Sequence, residues 1–307
     1  MKRNITKLIN DGLVRQPPGL SGLVRLACLA GFACLAGGCL GLGRRADPPR
    51  TPALTAHRGG AGLAPENTLA AFQNGLAFSP DYLELDVHLS ADGRLAVIHD
   101  PLLARTTDRP GRVADFTMAE LAGFDAAARF FGPAFGRQRI PSLEEVLDLV
   151  DGAPEPKPSL QIEIKLRDDG SRYPGIEEAL IGLLRERGMI ERSVILCFDF
   201  PTLAAVAAAE PRLRRCALIG RAYMASVGKR GPAAVAEEMA ALGAEYVGVR
   251  EDSLSRPLYD ALRSRGILIG AWTVNDEARM KELIELGVDF ITTDRPDLFR
   301  RLVPTGS

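Results

Sequence analysis

From residue 53 onward, short β-branched or apolar runs alternate with longer segments whose apolar residues recur at helical spacing. The runs predict strands at 53–57, 82–88, 160–166, 193–198, 215–219, 245–249, 267–272 and 289–293. The segments between and after them predict helices at 67–78, 143–150, 175–187, 202–209, 232–242, 257–265, 276–286 and 297–302. Eight strand–helix units in this order close into an α/β fold of the (β/α)8 TIM-barrel type. Local chemistry agrees: Ser142 and Glu145 form a capping-box pair, Pro257 suits a first helical turn, and Gly188, Gly243, Gly266 and Gly287 each stop a helix. The beat is broken once, by a small insertion at about 100–141 between the second strand and the second helix. Phe116, Phe124, Phe130, Phe131 and Phe135 within it predict a packed subdomain, placed to cover the barrel mouth.

Ahead of the barrel the pattern changes. Lys2, Arg3, Lys7, Arg15 and Arg25 precede an uncharged apolar run at 26–42, the arrangement of a targeting segment that directs export to a bacterial envelope or periplasm. Leu35-Ala36-Gly37-Gly38-Cys39 resembles a lipobox, with Cys39 the acylated residue, although Ala36 stands where a branched residue is usual. Simple secretion, an uncleaved anchor and a buried core helix are the competing readings. Residues 43–52 are polar and Pro-rich, as a linker would be, so the barrel is expected to occupy 53–303.

Composition narrows the partners. With 38 Lys and Arg against 39 Asp and Glu, the chain has no electrostatic footprint for nucleic acid, and a membrane is implied only through the N-terminal anchor. Three of the 5 cysteines fall in the targeting run, which leaves Cys197 and Cys216 as expected buried thiols rather than a disulfide framework. Oligomeric state leaves no mark in the sequence.

The second strand, Leu83-Glu84-Leu85-Asp86-Val87-His88, alternates strictly. If its apolar set faces the helices, Glu84 and Asp86 point into the barrel, about 7 Å apart along the strand, a costly pairing without a cation. Gln161-Ile162-Glu163-Ile164-Lys165 repeats the device and adds Glu163 to the site, with Lys165 to hold a substrate anion. Ligation by oxygen alone favours a hard divalent cation, Mg2+ or Ca2+. The competing reading is an inward salt-bridge layer with no metal. Two of the three histidines, His57 and His99, stand at expected strand ends and can serve as acid and base, although each alone could be structural. Arg58 offers a planar fork to two phosphate oxygens. His88, on the inward parity, is a candidate site contact, and Glu66 suits a helix-start carboxylate; Trp272 is expected to wall the pocket or to fill the core.

Ten segments then occur in one family's order. They are His57-Arg58-Gly59, Pro65-Glu66-Asn67-Thr68, Glu84-Leu85-Asp86-Val87, Asp92-Gly93, His99-Asp100, Arg105-Thr106-Thr107, Pro141-Ser142-Leu143, Glu163-Ile164-Lys165, Trp272-Thr273-Val274-Asn275 and Thr293-Asp294-Arg295-Pro296. Across about 53–302 the chain resembles the glycerophosphodiester phosphodiesterases, barrel enzymes related to phosphatidylinositol-specific phospholipase C. The resemblance implies His57 and His99 as acid and base, Glu84, Asp86 and Glu163 as metal ligands, and Arg58 and Lys165 as phosphate ligands. It also implies that Glu66 orients His57 or Arg58. It implies hydrolysis of a small glycerophosphodiester to glycerol 3-phosphate and an alcohol such as choline or ethanolamine. Attack by the glycerol 2-hydroxyl and attack by water both stay open. Cys197 replaces a serine common in the family. The rivals are a related barrel phosphodiesterase acting on lysophospholipids or other head groups, and an exported protein that only binds phosphorylated head groups.

Overall fold

A computed structural model of the chain describes residues 51–131 and 134–305. The expected targeting segment with Cys39, and all but the end of the expected linker, lie outside the described residues. Among those residues no helix is long and apolar enough to cross a membrane.

Nine strands form one sheet: β1 (Ala53–Ala56), β2 (Tyr82–Leu89), β3 (Leu95–Val97), β4 (Ser159–Ile164), β5 (Ser193–Cys197), β6 (Arg214–Ile219), β7 (Tyr246–Arg250), β8 (Leu268–Trp272) and β9 (Phe290–Thr293). All but β3 run parallel, and pairing of β1 with both β2 and β9 closes them into an eight-stranded barrel. The helices are α1 (Leu69–Leu76), α2 (Met118–Leu121), α3 (Leu143–Asp151), α4 (Ile176–Glu186), α5 (Phe200–Ala209), α6 (Arg221–Ser226), α7 (Pro232–Leu242), α8 (Arg256–Ser264), α9 (Glu277–Leu286) and α10 (Pro296–Leu302). The expected elements are all present within a few residues, and the Ser142–Glu145 capping box starts α3 as read.

Two features depart from the expected beat. The strand β3 folds back antiparallel on β2 through a turn with Gly93 at φ 76°. Val87, His88 and Leu89 of β2 are free to accept it because β1 is short and pairs only with Tyr82 and Leu83. The second departure is α6, whose side chains are nowhere fully buried, so no apolar stripe marks it in the sequence.

The insertion has its own small core, in which Leu103, Val113, Met118, Leu121 and Ile140 pack on Ala96 and Ile98. Phe116 and Phe124 meet edge to face against it, whereas Phe130 and Phe131 are exposed. The insertion flanks the mouth instead of covering it: among the described residues, none from 100–141 lines the mouth cavity.

Inside the barrel the two halves differ. The inward positions of β2 and β4 carry Glu84, Asp86, Gln161 and Glu163, whereas those of β5, β6 and β9 carry Val194, Leu196, Cys216, Leu218 and Phe290. Gly248 and Gly270 are paired in register on β7 and β8, and the missing side chains make room for large rings. A Cβ on Gly270 would fall 1.9 Å from the Phe290 ring. Gly270→Ala is therefore expected to cost roughly 1–3 kcal/mol by overpacking. Phe290→Leu on that background should recover part of the loss in urea denaturation, and strictly additive losses would count against this packing account.

Candidate active site

The parallel register decides the geometry at the mouth. Asp86 on β2 lies directly beside Glu163 on β4, and Glu84 lies beside Gln161 one layer below. Outward-facing Leu83, Leu85, Val87, Ile162 and Ile164 belong to the core under the helices, so the acids do face inward as their alternation predicts. One oxygen from each of Glu84, Asp86 and Glu163 lies within 4.8 Å of the others, and all three residues are buried.

The turn after β1 is built around this cluster. Arg58 is a non-glycine residue at φ 50°, and that conformation aims its backbone N–H at Glu84 Oε2, 2.9 Å away. Gly59 follows at φ 82°, and Gly75 of α1 packs on it so closely that a Cβ on Gly75 would lie 2.5 Å from the Gly59 carbonyl oxygen. The helix thus clamps the turn. Arg58 Nε lies 3.3 Å from Asp86, and its Nη1 donates to Glu66 Oε1 at 3.0 Å. Glu66 also accepts from Arg105 of the insertion at 2.6 and 3.0 Å, so it orients Arg58 and touches no histidine. Its carboxyl is held below the usual range: burial opposes this, and Arg105 and Arg58 outweigh burial.

Asp86 is the deepest acid. Asn67 donates to its Oδ2 at 2.8 Å, while Oδ1 has no hydrogen-bond partner and faces the Lys165 ammonium at 3.4 Å. Burial would raise this carboxyl, yet Lys165 and Arg58 hold it well below the usual carboxylate range. Glu84 goes the other way, pushed up by burial and by the neighbouring Asp86. Lys165 lies 2.7 Å from Glu163 and is raised above its ordinary value; burial opposes the shift, and Glu163 and Asp86 prevail. Its side chain is braced between two acids and does not line the mouth cavity.

Both histidines present the same face to the mouth. His57 Nδ1 donates to Asp294 Oδ1 at 2.6 Å, and Asp294 is fixed in turn by Asn275 at 2.6 Å through its other oxygen. His99 Nδ1 donates to Asp100 Oδ1 at 2.5 Å, and Arg105 bonds the other oxygen of Asp100. A carboxylate on each Nδ1 sets the tautomer and leaves both Nε2 atoms for chemistry. His57 Nε2 lies 3.9 Å from Glu84.

His99 is not carried by a barrel strand but by the β2–β3 hairpin, whose return is tied down where Ile98 N donates to the Asp86 carbonyl at 3.1 Å. His88 supports the same loop. Its Nε2 meets the His99 carbonyl at 3.0 Å and its Nδ1 meets the Tyr173 hydroxyl at 2.9 Å. A carbonyl only accepts, so Nε2 carries the hydrogen and Tyr173 donates to Nδ1. His88 is wholly buried and outside the cavity, a brace for the His99 backbone.

The cavity itself measures about 150 Å3 and is lined by His57, Arg58, Glu84, His99 and Glu163 on one side and by Leu196, Phe198, Leu218, Trp272 and Phe290 on the other. Trp272 therefore walls the pocket, and its Nε1 donates to the Gly248 carbonyl at 3.0 Å, which locks the ring. The residues not singled out from sequence are Asp294, Asn275, Asp100, Asn67 and Arg105. All five lie within the ten matching segments, so their positions were visible, but pairing them with His57, His99, Asp86 and Glu66 needs the fold. Phe198 gave no signal beyond following a strand. Cys197 and Cys216 are buried free thiols, as expected.

Burial holds His88 down at about 4, whereas the unfolded chain takes up this proton near pH 6.5. Its contribution to stability is thus complete above pH 6.5, falls as the pH drops from 6.5 to about 4, and levels off below. We expect wild type to lose about 3 kcal/mol more than His88→Gln over that window in denaturant titrations. Parallel curves for the two proteins would refute the assignment.

Comparison with known proteins agrees with this geometry. Residues 57–298 match the glycerophosphoryl diester phosphodiesterase family. The chain is 35% identical over 253 residues to a glycerophosphodiester phosphodiesterase of Caldanaerobacter subterraneus subsp. tengcongensis, covering 82% of this chain and 98% of that one. It is 36% identical over 250 residues to one of Bacillus altitudinis, covering 80% and 95%. Among solved structures, a glycerophosphodiester phosphodiesterase from Agrobacterium tumefaciens aligns with TM-score 0.67 at 30% identity, over 81% of this chain and 99% of that one. A phosphodiesterase of Oleispira antarctica, in complex with the product sn-glycerol-3-phosphate, aligns with TM-score 0.71 at 25% identity, over 83% and 98%. By sequence, by barrel and by the match spanning every residue of the mouth described above, the chain belongs to the glycerophosphoryl diester phosphodiesterase family of enzymes.

Proposed function

We propose that the chain hydrolyses small glycerophosphodiesters to glycerol 3-phosphate and an alcohol, with His57 and His99 as the acid–base pair beside a divalent cation held by Glu84, Asp86 and Glu163. The observation that carries this reading is two carboxylate-backed histidines beside a cluster of three buried acids, with His57, His99, Glu84 and Glu163 lining one cavity. A phosphodiester needs a proton removed from the attacking hydroxyl and one delivered to the departing alkoxide, and two Nε2 atoms free for chemistry meet both needs.

The donor set fits a hard cation. It is oxygen only, three carboxylates are answered by just two fixed cations, Arg58 and Lys165, and Asp86 Oδ1 is buried without a hydrogen-bond donor. Mg2+ or Ca2+ would supply charge neutralisation at the phosphate. Arg58, anchored by Glu66 and Asp86, keeps its remaining donors for phosphate oxygens, and Lys165 adds a second positive charge behind Glu163. Asp294 and Asp100 hold each imidazole in the required tautomer and stabilise it when protonated.

His57→Ala and His99→Ala should each lower kcat roughly a hundredfold or more with unchanged thermal unfolding. Chelation with EDTA should abolish turnover of glycerophosphodiesters, and added Mg2+ or Ca2+ should restore it, at higher concentration for Glu84→Gln than for wild type. Wild-type rates in the histidine variants, or indifference to EDTA, would sink the respective assignment.

We further propose export to the bacterial envelope with a lipid anchor on Cys39, supported by the basic stretch, the apolar run and the small residues before that cysteine. Labelled palmitate should be incorporated into the expressed full chain and lost in Cys39→Ser. Equal labelling, or none in wild type, removes the anchor.

A further inference from the structure

The mouth cavity continues sideways into a groove of about 370 Å3 beyond β5 to β8, and the two share Phe198, Leu218 and Trp272 as a common wall. Trp272 is fixed by its bond to Gly248, while Phe198 stands 46% exposed at the divide, edge to face with Trp272 at 5.3 Å between ring centroids. Past this pair, Phe200 and Tyr223 form the far apolar wall, and their rings meet at 5.8 Å. Gly220 forms part of the surface where a Cβ would touch both Trp272 and Phe198.

Among the described residues, no carboxylate lines the groove. Its charged lining residues are Arg221 and Arg250, and both bond the same acid, Asp252, at 2.7 and 3.0 Å. One carboxylate facing two guanidiniums leaves about one excess positive charge at the rim. The neighbouring acids do not offset it, because each has its own arginine: Glu251 faces Arg279 at 3.5 Å, Glu238, beside Tyr223, faces Arg230 at 3.8 Å, and Asp199 faces Arg172 at 3.8 Å. Aromatic walls alone would also suit a quaternary ammonium. Here the edge-to-face pairing of Phe198 with Trp272 uses up part of the ring surface, and the two arginines reverse the preferred sign.

The acids, Arg58 and the histidines fix the phosphate on the β1–β4 side of the mouth, so one substituent of the diester must extend over the apolar side. Resting on the proposed glycerophosphodiesterase reading, we infer that this groove is the leaving-alcohol site, and that it selects an alcohol with an apolar body and an anionic far end over a cationic one such as choline. Phe198, Trp272 and Tyr223 hold the body, and Arg250 with Arg221 meets the anion.

The test uses three glycerophosphodiesters of matched 2-phenylethanols bearing a para carboxylate, methyl or trimethylammonium group, together with glycerophosphoethanol, whose alcohol is too short to reach the arginines. Wild type should show kcat/KM falling in the order carboxylate, methyl, ammonium. Arg250→Gln should shrink the carboxylate-to-ammonium ratio about three- to tenfold, and Asp252→Asn should widen it by a similar factor. Raising the salt to about 0.5 M should compress the ratio in every protein. Loss of packing would move all substrates together, so opposite shifts for the two substitutions are specific to charge. A wild-type ratio near one, a preference for the ammonium, or shifts of the same sign would overturn the inference while turnover of glycerophosphoethanol leaves the reaction itself standing. No turnover of glycerophosphoethanol would overturn the proposed function and this inference with it.

Discussion

Three carboxylates buried in one barrel mouth are the constraint on which the rest of the site depends. Removing Glu84, Asp86 and Glu163 from water is costly unless each is answered by charge or by donors. The answers account for much of the local structure. The left-handed turn at Arg58 exists to bring a backbone N–H to Glu84 and a guanidinium to Asp86. Gly59 and Gly75 let α1 press that turn into place, and Asn67, at the approach to the same helix, bonds Asp86. Lys165 closes the cluster from β4. Even so, two fixed cations face three acids, and the charge deficit falls on Glu84, whose carboxyl is pushed up, while Asp86 Oδ1 meets Lys165 as an ion pair without a hydrogen bond. A cation among the three would relieve Glu84 and give Asp86 Oδ1 a ligand bond.

The histidines are positioned by different routes to a common end. His57 leaves β1 directly and is backed by Asp294 from the end of β9, so barrel closure itself assembles that pair. His99 arrives from the β2–β3 hairpin, and its Asp100 shares Arg105 with Glu66, which in turn holds Arg58. The insertion therefore contributes a brace more than a cover: Arg105 connects the His99 arm to Arg58 through two carboxylates.

The strict alternation around Glu84, Asp86 and Glu163 made the inward acids legible, because period-2 patterning survives without any knowledge of neighbours. The eight-unit beat was legible for the same reason. The β2–β3 hairpin was less so, although Asp92-Gly93 between two apolar runs is a strong turn signal. What sequence could not supply was partnership at long range. His57 and Asp294 are 237 residues apart, and Glu66 and Arg105 are 39 apart, with no periodicity to connect them. The short α6 was silent because it buries nothing fully and so carries no stripe.

The barrel interior explains why one mouth can serve both charge and apolar recognition. Strands β2 and β4 turn acids inward, while β5 to β9 turn in aliphatic and aromatic groups, with Gly248 and Gly270 thinned to admit Trp272 and Phe290. The apolar half lowers the polarity around the shared cavity, which favours the electrostatic contacts of the other half. In the same geometry, Phe198 and Trp272 wall both the mouth cavity and the groove beside it. The charged and the apolar linings of the mouth are thus carried by opposite arcs of one sheet, so a substitution on one arc changes that lining with the side chains of the other left in place.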